Sequence, residues 1–149
     1  MIRSVIAVIA SYIAMAIVVM ALFSGMWFGL GLDRLLKPGS YQGSIIITIL
    51  APAITILAGL FGGWMCAKIA RGTKPVLVLA GIVLALGGVM AAFTLQKPYP
   101  ADPRPAGMTV QQFMKIGREP DWFAIANPII GAAAILVGGM FIGAPKKST

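Results

Sequence analysis

The sequence predicts an all-α membrane protein in which four transmembrane helices form an antiparallel bundle, with a short amphipathic helix in the connection between the third and the fourth. Three observations carry this. Of the 149 residues, 59% are hydrophobic and 11% charged, whereas an ordinary soluble domain carries about 25% charged residues; the mean hydropathy is +0.94. The charges are bunched, leaving four uncharged runs: Ser4 to Leu32, Pro38 to Ala67, Pro75 to Gln96 and Trp122 to Pro145. Each exceeds the roughly 20 residues a helix needs to cross the hydrocarbon core. Apolar side chains go all the way round each run instead of following one stripe, the pattern of a helix in lipid and not of a soluble bundle. The chain reads as a single four-span domain over residues 1–149, with spans of about 5–31, 43–67, 75–95 and 122–143 and an extramembrane loop over 96–121.

The first run follows Arg3 and contains Ala14-Met15-Ala16, which has the small-x-small form of a signal cleavage site. A signal peptide has an apolar region of about 7–15 residues, and this run is far longer, so it is expected to remain as an uncleaved anchor. Lys37-Pro38-Gly39-Ser40 puts Pro and Gly at the central positions of a type II turn between the first two spans. Gly72 is the expected left-handed C-cap after Arg71, and Pro75 suits the first turn of the next helix, so the second and third spans form a tight hairpin. In the third connection Pro98, Pro100, Pro103 and Pro105 favour an extended, stiff path. Thr109 and Gln112 then have capping-box spacing, Val110, Phe113 and Met114 give a short apolar face, and Gly117 can stop the helix. This segment reads as a helix on the membrane surface or a lid on the bundle. Asp121 is the expected N-cap of the fourth span.

Helices surrounded by lipid associate through close packing, so small residues repeated on one face mark contacts. The second span offers Gly59 and Gly63, the third Gly81, Ala85 and Gly88, the fourth Gly131, Ala134 and Gly138, and the first Gly25 and Gly29. The expectation is packing within the bundle, chiefly of the second span on the third, with homodimerisation as the alternative. Pro52 and Pro128 interrupt spans, and Asn127 is the most polar side chain well inside one. An interhelical hydrogen bond from Asn127 to Thr48, Thr55 or Ser44 is the first expectation; a ligand contact at a broken helix is the second.

Twelve Lys and Arg against four acids give a net charge of +8. In a soluble protein this would suggest nucleic acid, but here the cations lie in connections, where they set topology and meet anionic headgroups. The expected partners are the lipid bilayer and another membrane protein or a second copy of the chain, with no nucleic acid. There is no histidine and one cysteine, Cys66, which excludes an intrachain disulfide, imidazole-ligated haem or zinc, and dithiol redox chemistry. Nine methionines raise the question of copper, yet Met15, Met20 and Met26 are not spaced to converge, so they read as packing residues. No Asp, Glu, Lys or Arg lies in the central part of a span, which argues against a proton-coupled exporter built on a membrane carboxylate. Glu119 and Asp121 flank Pro120 and read as helix capping.

No catalytic residue, metal site or cofactor is therefore expected. The leading reading is a non-enzymatic integral membrane protein acting as an accessory or interaction subunit, with Phe113 and Met114 as its interaction surface. The alternative is a small transporter or channel working through Asn127, Pro128 and backbone carbonyls near Pro52; a membrane enzyme comes third. The stretch Gly62-Gly63-Trp64-Met65-Cys66-Ala67-Lys68-Ile69-Ala70-Arg71, followed by a Pro-led third span, resembles the middle hairpin of small uncharacterised four-span bacterial membrane proteins. That resemblance implies the fold and a bacterial inner membrane, and no activity.

Six basic residues fall on each side of such a bundle, and density decides the orientation. With the N-terminus cytoplasmic, Arg3, Lys68, Arg71, Lys74, Lys146 and Lys147 crowd into short segments beside helix ends, where the positive-inside rule is strongest. On the other side Arg34 and Lys37 are joined by Lys97, Arg104, Lys115 and Arg118, spread along the third connection. Both termini are thus expected in the cytoplasm. A reporter fused after Lys147 should be cytoplasmic and one inserted at Ala106 external; the reverse pair of results would invert the topology.

Overall fold

The computed structural model describes residues 2–141, which are helical and irregular apart from one isolated bridge between Leu36 and Gly43. The helices are α1 (Ile2–Leu30), α2 (Leu32–Leu35), α3 (Ile45–Ala70), α4 (Lys74–Gln96), α5 (Val110–Ile116) and α6 (Asp121–Met140). Among the described residues, α1, α3, α4 and α6 are long and apolar enough to cross a membrane, and they form the antiparallel bundle of an integral membrane protein. The expected continuation of the last span to 143, with Gly143, Lys146 and Lys147, lies outside the described residues. One end of the bundle holds the α3–α4 connection and is called the hairpin end. The other, carrying the 31–44 and 97–120 connections, is the loop end.

Local chemistry sets the connections. Gly31, with φ 73, ends α1 inside the uncharged run and lets α2 add a single turn before the chain reverses. The expected turn follows: Gly39 takes φ 63, and the Ser40 N–H donates to the Lys37 carbonyl at 3.1 Å. Ser44 then fastens the start of α3, its N–H donating to the Leu35 carbonyl and its hydroxyl to the Arg34 carbonyl, both at 2.8 Å. Between α3 and α4 the left-handed residue is Arg71, at φ 55, and not Gly72. Its N–H closes on the Ala67 carbonyl at 2.8 Å, so the helix ends one residue early, leaving room for the reversal before Pro75 enters the first turn of α4. Arg3 reaches across from α1, and its Nε–H donates to the Ile69 carbonyl at 2.6 Å. A cation thereby satisfies a last-turn carbonyl at the negative end of α3.

At the loop end Thr109 and Gln112 form a full capping box, which explains why a seven-residue helix stands after a proline-rich strap. Asp121, in contrast, does not cap α6. Pro120 occupies the N-cap position and Asp121 is the first helical residue, its carboxylate taken by the Arg118 guanidinium and the Tyr99 hydroxyl. A charged partner three residues earlier outcompetes the free amides of the helix start.

Packing differs from expectation in which faces meet. The small face of α3 lies on α6, not on α4: a Cβ on Gly59 would sit 2.7 Å from the Ala134 side chain, one on Gly63 would collide with the Ile135 carbonyl, and one on Gly138 with the Leu60 carbonyl. Gly81, Ala85 and Gly88 of α4 are exposed, and a Cβ at Gly81 or Gly88 would meet nothing. Gly25 and Gly29 are equally open. The contact glycine of α4 is Gly87, against Pro128 of α6. Around the α3–α6 seam, Ala7, Cys66, Ala67, Val76, Leu79 and Ile135 are buried and fill the hairpin half of the bundle.

These contacts predict unequal responses to enlargement. Gly63→Leu should lower the stability of the detergent-solubilised protein by about 2 kcal/mol or more, read as a fall in melting temperature, while Gly81→Leu should leave it near wild type. Equal melting of the two variants would contradict the α3–α6 seam.

Candidate functional site

The loop half of the bundle is built differently from the hairpin half. α3 packs on both α1 and α6, but α1 and α6 face each other across a gap and scarcely touch. Large aromatic side chains line this space in place of glycines, and a cavity of about 540 Å³ remains between α1, α3, α5 and α6. That volume lies within the range of small-molecule sites. A second cavity of about 300 Å³ lies toward α4. Val19, Phe23, Glu119 and Asn127 border both.

α5 roofs the larger cavity at the loop end. Phe113 is 9% exposed and inserts among Leu32, Leu36, Trp27 and Tyr41, with ring centroids 5.1 Å from Trp27 and 6.4 Å from Tyr41. Of the two residues expected to form an interaction surface, Phe113 is thus taken up by its own chain. Met114 is exposed and stands at the cavity rim. The strap before α5 is held by Arg104, whose N–H donates to the Gly39 carbonyl and whose guanidinium pairs with Asp33 at 2.9 Å.

Behind α5, Arg118 works as a clasp. Its guanidinium donates to the Lys97 carbonyl and to Asp121, and it stacks over the Tyr99 ring at 4.1 Å, tying the end of α4 to the start of α6. Its side chain is 8% exposed, and the Nε–H has no partner among the described residues. Arg104–Asp33 and Arg118–Asp121 are the ion pairs of the described residues, and Glu119 belongs to neither. Glu119 reaches solvent at the cavity rim, yet desolvation by the protein around it pushes its carboxyl above the ordinary glutamate range.

Inside the span, the Thr55 hydroxyl donates to Asn127 Oδ1 at 2.6 Å, joining α3 to α6 at the inner edge of the cavities. Pro128, next in sequence, has no N–H to give the Ala124 carbonyl, and Pro52 likewise leaves the Thr48 carbonyl free. Ala124 borders the smaller cavity and Thr48 the larger. The helix-packing residues Gly59, Gly63, Gly131 and Gly138 all lie on the α3–α6 seam. Sequence reasoning did not place Arg118 and Glu119 at a site, because Arg118-Glu119-Pro120 carries no signal beyond that of a charged helix start.

Compared with protein families, curated proteins and solved structures, the chain matches none. Its chemistry has to be read from this geometry.

The Glu119 shift has a consequence for stability. An acid whose folded value is raised favours the folded state while protonated, and that advantage is lost as pH rises through the folded value. Glu119→Gln should therefore melt above wild type at neutral pH, the gap closing below about pH 4, where glutamate is protonated in the unfolded chain as well. A variant that melts lower at neutral pH would show that the carboxylate has a favourable partner in the fold.

Proposed function

We propose that this integral membrane protein is a non-enzymatic accessory subunit that holds a lipid-like amphiphile in the cavity between α1 and α6, in a bacterial inner membrane with both termini cytoplasmic. The observation that carries the reading is where the cavity opens. Met20, Phe28 and Trp122 line it and are exposed, and Met20 lies well inside the α1 span, so the rim extends along the side of the bundle at hydrocarbon depth. Toward the loop end the space is roofed by α5. A space partly roofed at its loop end and open along the side of the bundle favours a ligand that arrives from the bilayer with its polar end at the Glu119 rim.

Transport through Asn127 has support of its own, since two proline-broken helices and an amide converge there. Against it stands the hairpin half, where Cys66, Leu79 and Ile135 are fully buried and no Asp, Glu, Lys or Arg is among the described residues of the packed core. A blind cavity suits holding more than conduction. The resemblance of the α3–α4 hairpin to small bacterial membrane proteins and the dense cations at Lys68, Arg71 and Lys74 support the compartment and the orientation.

Thr48 and Ser24 line the cavity from exposed positions on α3 and α1, so larger side chains there fill the space without entering the α3–α6 seam. Native mass spectrometry of the protein released from mild detergent should show a retained lipid. Ser24→Phe combined with Thr48→Phe should reduce that retained fraction about tenfold, which corresponds to about 1.4 kcal/mol, at an unchanged melting temperature. Undiminished retention in the filled variant would remove the cavity from the reading.

A further inference from the structure

The rim of this cavity carries one uncompensated charge. Tyr41, Arg118 and Glu119 are the ionisable residues that line it. Arg118 is held by Asp121, the Lys97 carbonyl and the Tyr99 ring, so its charge is matched and its donors are mostly engaged. Glu119 stands beside it with neither ion-pair partner nor capping role among the described residues, and it lines a space shared with Trp27, Phe28 and Trp122. A carboxylate that shares a cavity lining with three aromatic side chains suits a cation, because ring quadrupoles attract positive charge and the carboxylate supplies the counter-ion. A phosphate or carboxylate without an accompanying cation would meet the Glu119 charge there, with only the free Nε–H of the already paired Arg118 to offset it.

The geometry points to a lipid with an ammonium headgroup, of the phosphatidylethanolamine type, as the occupant: Glu119 takes the ammonium, and the acyl chains leave past Met20 along the lipid-facing side of α1. This rests on the reading of the cavity as an amphiphile site and adds the chemistry that selects the headgroup. The choice runs against the bulk electrostatics of the chain. With a net charge of +8 the protein as a whole attracts anionic lipids, so a preference for a zwitterionic headgroup over an anionic one would have to arise locally. The desolvation that raises the Glu119 carboxyl agrees with an anion awaiting a partner.

The test uses the full chain in mild detergent, titrated with phosphatidylethanolamine and with phosphatidylglycerol of identical acyl chains, bound lipid being counted by native mass spectrometry. Wild type should prefer phosphatidylethanolamine by about fivefold, and Glu119→Gln should abolish the preference while still retaining lipid. Asp102→Asn removes the same charge from the same connection at an exposed position that does not line the cavity, and it should keep the preference. Lipid bound without headgroup preference, or a preference that survives Glu119→Gln or is lost in Asp102→Asn, overturns the assignment of Glu119 and leaves the amphiphile site standing. Failure of both lipids to be retained overturns the site itself.

Discussion

The backbone-to-backbone contact between α3 and α6 is the constraint on which the other features depend. In a bilayer no water is expelled when two helices meet, so a stable seam requires surfaces close enough for dispersion forces and weakly polar backbone contacts to act. Gly59 and Gly63 on one helix and Gly131 and Gly138 on the other allow that approach, and at Gly63 and Gly138 the space is so small that a single carbon would strike a facing carbonyl. With this pair locked, α4 and α1 pack on its flanks. Gly87 lets α4 approach α6 at Pro128, and Arg3 pins the start of α1 to the end of α3. The hairpin half is consequently filled.

The loop half follows from the same seam. α1 is held by α3 along one side and has almost no contact with α6, so the two helices frame a space where aromatic and methionine side chains replace glycine. Such side chains hold helices apart as effectively as glycines bring them together. The connections then determine what kind of space results. Phe113 is driven into the Leu32, Leu36 and Trp27 cluster, and Arg104 and Arg118 anchor the two ends of the segment that carries it. Both guanidiniums are largely buried while Asp33 and Asp121 remain exposed, at 91% and 53%. For Arg118 the Lys97 carbonyl and the Tyr99 ring add to an ion pair that solvent weakens, whereas among the described residues the Arg104 guanidinium has Asp33 alone and its segment is held also by the backbone bond to Gly39.

The spans and the capping box of α5 were legible because each is a local property. Uncharged length specifies a span, and a Thr and a Gln three residues apart specify their own reciprocal bonds. Which faces meet is not local. The stripe Gly81, Ala85 and Gly88 looks like a contact surface by spacing, but α4 is rotated so that neighbouring Gly87 faces α6. A one-residue difference in phase is about 100° around a helix, and nothing within α4 specifies it. The same limit applies at the termini. Gly72 and Asp121 have the residue types for a cap, but the cap positions are determined by the length of chain left for the reversal and by the competing Arg118. The break at Gly31 is hidden inside an uncharged run, and α2 with it. The cavity was illegible for a deeper reason, since it results from two helices failing to meet.

The Thr55–Asn127 bond marks where the two halves of the bundle join. Such bonds contribute only about 0.6 kcal/mol in membrane proteins, too little to rank beside the glycine seam as a source of stability. Its position matters more than its energy. It crosses from α3 to α6 between the small-residue seam and the aromatic cavity, beside Pro128, where α6 cannot complete its own hydrogen-bond ladder. An amide at a proline break supplies a polar contact where the helix has lost one, and it fixes the register of α6 just as that helix changes from a packing element into a cavity wall. The loop half can therefore accommodate an occupant without loosening the seam, because the helices that frame the cavity are held in place below it.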